Sequence, residues 1–358
     1  MLSRTRTAVF CSTLLFALQL HAQPEAAIQL RRGAIVEQAR NAAYLAKPNG
    51  AIEAIDLESG RALWRSEAAA LPLGLVAGRF LVAQIEERLP AARLRLAVLD
   101  VQNGGRTVSE AVIALPANVR ALAGDREGES FRAIAEDEAG TIVVSWFYQK
   151  LELRGVRPAP GEEESNLLVS GTARVVAANG NVTGSSAIPV DAPPARWRAY
   201  GSTPRAPWRA GSVSASTEGG RGGPLTLKRT NAVTGQMLPE RQISNAAIVA
   251  LSSADQHHLV VAERVGEGGP DDPEYRWLIF DLETGERVSE LRRDVSASPF
   301  FVWGDNVIFE SSPHGYRSGG VWVERPLELR AVRASSGVPV WDAELRDLAY
   351  RGPLPPKR

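Results

Sequence analysis

One short signature returns along most of this chain and limits what it can fold into. An extended apolar run is followed by an Asp, two or three further residues, a Ser, Thr or Asn before Gly, and a second short apolar run. It is clearest at Gly50-Ala-Ile-Glu-Ala-Ile-Asp56, Leu57-Glu-Ser-Gly60 and Arg61-Ala-Leu-Trp64. The first run alternates apolar and polar side chains as a half-buried strand does. Glycine after Ser or Thr permits positive φ in a tight hairpin, and the Asp side chain can cap that turn through its backbone. Copies run from Leu96 through Asp100 to Gly104, from Val175 to Gly180 without the Asp, and from Thr230 to Gly235. Two more lead through Asp281 to Gly285 and from Ala331 to Gly337, the last followed by Trp341. The intervals between these glycines are 44, 76, 55, 50 and 52 residues. A period near 50 with four strand-like segments is the spacing of propeller blades.

Each unit also supplies its first two strands. Leu73–Val76 and Phe80–Ile85 flank a turn at Ala77-Gly78; Pro299–Trp303 and Val307–Glu310 flank Gly304-Asp305; Ile248–Leu251 and Leu259–Ala262 flank Ser252–Gln256. The expected fold is therefore all-β: a single closed β-propeller of four-stranded blades, six in number. A seventh would be added if the 76-residue interval hides one, with Val119–Ala123 as its spare strand. A blade buries only one face on its own, so a closed ring is the stable arrangement, and residues 33 to 47 should meet the last blade near Val321–Asp342. The longer segments Val156–Asn166, Ser216–Pro224, Val265–Glu274 and Ser311–Gly320 read as loops between second and third strands. The expected division is 1–22 as a signal peptide, 23–32 as a lead-in, 33–345 as the propeller and 346–358 as a tail.

The segment from Gly50 to Trp64 resembles the pyrroloquinoline-quinone-like (PQQ-like) propeller repeat, whose usual form is G-x-I/L-x-A-L/I-D-x-x-T/S-G-x-x-L-W. The resemblance is good in the units ending at Gly285 and Gly337 and weaker elsewhere; Val108, Leu238 and, in the Gly285 unit, Val288 stand near the usual Trp. It implies a β-propeller in which Gly50, Asp56, Gly60, Trp64, Asp100, Gly104, Gly235, Asp281, Gly285, Gly337 and Trp341 are structural blade residues. The family has an enzymatic branch of quinoprotein dehydrogenases and a non-enzymatic branch that includes the outer-membrane-protein assembly propeller of Gram-negative bacteria. The repeat itself builds blades and not a site.

The enzymatic branch as usually met carries adjacent cysteines against its cofactor. This chain has one cysteine, Cys11, inside the apolar run of the leader. The resemblance therefore favours the non-enzymatic branch, with no catalytic residue, cofactor or metal assigned. Asp271-Asp-Pro-Glu274 lacks the alternating acidic frame of a calcium loop and reads as a solvated loop. His257 and His258 point to opposite faces of a strand start and do not converge on an ion. Gly219-Gly-Arg-Gly-Gly223 lacks the Lys-Ser/Thr ending of a phosphate loop. Trp197 and Trp208, interleaved with Arg196, Tyr200 and Arg209, form the candidate interaction surface, because aromatics with arginine are enriched at protein interfaces. A blade edge packed on its neighbour would use the same residues.

Arg4 and Arg6 precede a 13-residue apolar run from Ala8 to Leu20, and Ala22 supplies a small residue for cleavage. The run is shorter than the ~20 residues that span a bilayer, so it reads as a secretory signal. The expected product is periplasmic or secreted, with no transmembrane segment. Cys11 follows Phe10 and makes a poor lipidation site. With 41 basic and 41 acidic side chains, the chain has no charge excess to displace counterions, so nucleic acid is not an expected partner. The functional expectation is a non-catalytic monomeric ring that binds a protein partner in the cell envelope, with outer-membrane protein assembly as one setting. The alternatives are an atypical PQQ-dependent dehydrogenase and a small-ligand or glycan-binding propeller.

Overall fold

The computed structural model describes residues 27–87, 91–122, 128–151, 167–194, 197, 207–253, 257–265, 274–294, 297–311, 314–318 and 321–348. The segment read as a leader, with Cys11 and the expected cleavage position after Ala22, lies outside them. The described residues are all-β, and the only helical pieces are short 3-10 turns at Gln38–Arg40 and Val101–Asn103 and a lone helical residue, Trp197.

The first sheet runs β1 (Ile28–Arg31), β2 (Ala34–Glu37), β3 (Ala42–Ala46), β4 (Ile52–Asp56) and β5 (Ala62–Ser66). The second is β6 (Leu71–Val76), β7 (Phe80–Ile85), β8 (Arg93–Asp100) and β9 (Arg106–Ala114). The third is β10 (Glu129–Glu138), β11 (Thr141–Lys150), β12 (Leu167–Val175) and β13 (Val182–Pro189). The fourth has seven strands: β14 (Trp208–Ala210), β15 (Val213–Gly219), β16 (Gly223–Asn231), β17 (Arg241–Ser252), β18 (His258–Val265), β19 (Glu274–Asp281) and β20 (Arg287–Asp294). In the fifth, β21 (Ala297–Trp303) and β22 (Asn306–Ser311) pair onward with β25 (Glu328–Arg333) and β26 (Pro339–Glu344). A separate hairpin, β23 (His314–Ser318) and β24 (Val321–Arg325), is inserted between β22 and β25. Within each sheet the strands follow one another in chain order as antiparallel meanders.

Six separate blades were the expectation; the described residues form five sheets of four or more strands and one hairpin. The difference lies in β17. Its first half pairs with β16 through Arg241, Gln242 and Ser244, and its second half pairs with β18 from Ala247 to Ser252. No glycine or proline interrupts Arg241–Ser252, so one long strand is the last of one meander and the first of the next. Four further readings change. Ser216–Pro224 is mostly strand, tightened to a turn at Gly219–Gly223, and Ser311–Gly320 contains β23. Ile28–Arg31, read as lead-in, pairs with β2. Val119 and Leu122 form no strand but are buried against the second and third sheets.

The core lies between sheets packed face to face. Ala34, Val36, Ala43 and Leu45 of the first sheet share one cluster with Phe301, Ile308, Leu329 and Trp341 of the fifth. Tyr44, Ile52 and Ala54 share another with Leu81, Ala97 and Leu99 of the second sheet. Leu73, Val82 and Val98 pack with Phe131, Val144 and Trp146 of the third. Val260, Ala262 and Ile279 of the fourth pack with Val302, Val307 and Val332 of the fifth. The remaining cluster is internal to the fourth sheet. The first and fifth sheets therefore pack on each other, which places residues 34–45 against the last sheet as expected, and none of these clusters joins the third sheet to the fourth among the described residues.

The residues after β26 reinforce that meeting. Leu345 and Arg346 donate backbone N–H groups to Leu327 and Ala46. The Arg346 guanidinium holds Glu86 through two bonds of 2.8 and 2.7 Å, and Leu348 enters the core shared by the second and third sheets. Part of the expected 346–358 tail is thus built into the fold.

Candidate functional site

The glycine turns set the geometry of the joints. Gly60, Gly104, Gly180, Gly235, Gly285 and Gly337 all have φ between 67° and 72°, the left-handed region that disfavours any side chain. Asp56 accepts the Ser59 N–H at 2.8 Å, Asp281 accepts that of Thr284 at 2.6 Å, and Asp100 accepts that of Gln102 at 3.0 Å. Asn231 takes the same place before Gly235, accepting from Val233 and Thr234 at 2.9 Å. The Asp100 carboxyl is held down at about 2 by the bond from Arg79, with Asn103 and the Gln102 backbone adding to it against the opposing effect of burial. Gly50 closes a different turn, at the β3–β4 hairpin, with φ 80°.

Four of these joints seat a turn against the outer strand of the preceding sheet, and the Gly285 turn sits against β17 of its own sheet. A methyl group on Gly60 would overlap the Trp341 side chain, whose Nε1–H donates to the Leu57 carbonyl at 2.9 Å. A methyl on Gly105, next to Gly104, would overlap Trp64. The Gly180 turn meets the Glu110 backbone of β9, and Ser109 donates to the Ala177 carbonyl at 2.6 Å. At the Gly285 turn, Arg241 of β17 donates to the Gly285 carbonyl at 3.3 Å and Arg229 to that of Glu283 at 2.7 Å. Gly337 lies against Leu291 of β20, where Ser289 donates to the Ala334 carbonyl at 2.7 Å.

The third sheet and the Gly235 turn depart from this pattern. No atom lies within 4 Å of where a Gly235 methyl would stand, and the flanking Val233 is 84% exposed. On the other side, all eight residues of β13 are exposed, Ile188 to 61%. The other outer strands whose burial is described throughout, β5, β9 and β26, each bury at least one residue. The outer strands also differ in charge: Arg65 in β5, Arg106 and Glu110 in β9, five charges in β20 and Asp342 and Glu344 in β26, but none in the Val-Thr-Gly-Ser-Ser-Ala-Ile-Pro of β13. Charges on an edge strand deter pairing with another chain. The uncharged composition was visible in the sequence, yet Gly-Ser-Ser reads as turn chemistry, which hid the strand.

The arginine–tryptophan segment divides. Trp197 is buried and stacked on Phe147 with ring centroids 6.3 Å apart, and Trp208 is buried in the core of the fourth sheet. Their rings fill interior space and offer no surface for a partner. The flanking arginines suggested exposure, but alternation along β14 puts Trp208 inside and Arg209 outside. Arg196 and Tyr200 lie outside the described residues. His257 is exposed and His258 half-buried at the start of β18.

Two buried polar clusters were not anticipated. Glu37 accepts a short hydrogen bond from Tyr44 and pairs with Arg40 at 3.1 Å; burial first, then this carboxylate, push the Tyr44 hydroxyl above its ordinary range. Glu263 accepts from Ser244 and Arg276. Burial alone would raise its carboxyl, but those bonds hold it below the usual value. Each is a carboxylate closed off by donors, which rigidifies a sheet. Among the described residues, no three His, Cys, Asp or Glu side chains are grouped to hold a metal ion. No helix among them is long and apolar enough to cross a membrane.

No protein-family model and no curated protein matches the chain. Among solved structures, BamB from Moraxella catarrhalis is 15% identical over 87% of this chain and 75% of its own, with a TM-score of 0.25. The dihydro-heme d1 dehydrogenase NirN is 16% identical over 90% and 67%, with a TM-score of 0.31. The Cps50 (Swd1) β-propeller domain from Myceliophteria thermophila is 13% identical over 89% and 88%, with a TM-score of 0.26.

Proposed function

We propose that this chain is a non-catalytic, exported β-propeller scaffold of six blades that binds a protein partner in the cell envelope, with outer-membrane protein assembly as its setting. In this reading the merged fourth sheet counts as two blades that share β17, and the leader is removed so that the ring works in the periplasm. The observation that carries the reading is how the sheets use their surfaces. Their apolar faces are spent on one another and their turns on the neighbouring outer strands, while β13 keeps a long, uncharged strand open to solvent. A scaffold needs a rigid body and one sticky element, and that is this combination. The single leader cysteine supports the non-enzymatic branch, because it cannot supply the adjacent pair met in the dehydrogenases.

Two measurements test this together. Fractionation of expressing cells should recover a chain beginning at Gln23 in the periplasm, crosslinked there to a defined protein partner. Purified protein given PQQ and calcium should reduce no dye with alcohols or sugars. Quinone-dependent turnover, or a chain retained in the cytoplasm, would overturn the proposal.

A further inference from the structure

We propose that β13 is a docking edge for an extended, uncharged segment of a partner protein, which adds to the third sheet as a fifth strand. This rests on the scaffold reading and names the surface and the chemistry it recognises.

The backbone defines the occupant. Val190 donates to the Leu168 carbonyl at 3.0 Å, so Leu168 and Val190 form a hydrogen-bonded pair of the antiparallel ladder. Alternation then makes Ser170–Ile188, Thr172–Ser186 and Arg174–Gly184 the inward-bonded pairs. Ser185 and Ala187 therefore turn their N–H and C=O groups away from β12, and β13 is the end strand of its sheet. Pro189 falls in the same outward set, where the missing N–H costs nothing. The register shift at Arg174/Val175 limits regular pairing on one side and Pro189 on the other. The usable window is Gly184–Ile188, about 17 Å of strand at ~3.4 Å per residue. Only an extended backbone matches two outward N–H and C=O pairs at that spacing.

The side chains define its chemistry. Glycine, serine and alanine offer neither charge nor bulk and Ile188 offers no charge, whereas β5, β9, β20 and β26 all contain charged residues. A charged residue at the centre of the incoming strand would lose solvation without gaining a partner. The matching segment is thus short, extended and neutral. A second copy of this chain is the poorer occupant. Two such windows pairing edge to edge bury on the order of a hundred Å² per side, against the ~600–1,000 Å² per partner of a stable interface. A flexible segment needs only main-chain bonds to a rigid edge.

The test uses the full secreted chain and, as probe, a capped pentapeptide alternating threonine and valine. Amide hydrogen exchange is read at single-residue resolution. With a Kd on the order of 100 μM, 1 mM peptide should slow exchange at Ser185 and Ala187 about tenfold, and leave the outward amides of β5, β9 and β26 unchanged. Replacing the valines by glutamates should abolish the protection. Ala187→Pro removes one outward N–H and should abolish protection at Ser185; Ser185→Lys, which keeps every backbone group, should weaken it. Overturning results are no slowing at either residue, equal slowing on the charged outer strands, or self-association relieved by Ser185→Lys, which would make a second copy the occupant. Peptide protection in a chain that crosslinks to no envelope protein would keep the edge and remove the scaffold reading. A crosslinked partner without peptide protection would do the reverse.

Discussion

Trp341→Ala is the sharpest perturbation of the joint between the last sheet and the first. The ring is 8% exposed, fills the space left by Gly60, and donates to the Leu57 carbonyl at 2.9 Å. Removing a buried aromatic costs about 3–5 kcal/mol. The lost hydrogen bond adds about 1 kcal/mol, at the low end because the Leu57 carbonyl still accepts from Asn306 at 3.3 Å. The expected loss is about 4–6 kcal/mol. Gly60→Ala at φ 70° should cost about 1–2 kcal/mol of backbone strain, plus the overlap with Trp341. In the double variant the overlap is gone, so the two losses should sum to at least 1 kcal/mol more than the double measures. Urea unfolding followed by circular dichroism reads all three chains. Strict additivity, or a Trp341→Ala loss below 1 kcal/mol, would refute the claim that the turn and the outer strand lock together.

Other consequences are as concrete. The Asp100 carboxyl sits at about 2 in the folded chain against an ordinary 3.8, so its contribution is full above about pH 4 and is lost as the pH falls toward 2. With Arg79 47% exposed, screening brings that contribution to at most about 1 kcal/mol, and Asp100→Asn should flatten the acid limb of urea midpoints by that much. Arg346→Met removes the guanidinium that holds the exposed Glu86 carboxylate; it should cost about 1 kcal/mol and should free the residues after β26, read as faster amide exchange at Leu348. Gly171→Ala should destabilise by at least 2 kcal/mol, because the new methyl would overlap Trp146 and the Ser186 carbonyl; an unchanged urea midpoint would contradict the packing of the third sheet.

What was legible in the sequence was local. The glycine of each signature, with an Asp or Asn capping several of them, determines its own hairpin whatever packs around it, so even the Gly180 copy without an Asp has the same φ as the others. Trp64 and Trp341, expected as structural blade residues, stand against the Gly105 and Gly60 turns, because a large ring at the end of a fourth strand finds its cover on the neighbouring sheet. Features that depend on distant partners were not readable. Trp197 and Trp208 look like a contact surface beside arginines, and only the tertiary fold shows Phe147 waiting for one of them. The continuity of β17 depends on where a register shift falls, and β13 is written in turn-forming residues that the ladder from β12 holds straight.

The central claim is that a rigid stack of sheets presents β13 to a partner in the envelope. Its most direct test is a photo-crosslinking amino acid placed at Ile188 and, in a second chain, at Val112, which is 54% exposed on the charged strand β9. Irradiated in the cells that make the protein, the chain labelled at Ile188 should join one defined protein, and competition by the threonine–valine peptide should remove the product. The chain labelled at Val112 should give none. A product at Val112 with nothing at Ile188, or equal labelling of many proteins at both, would contradict the account.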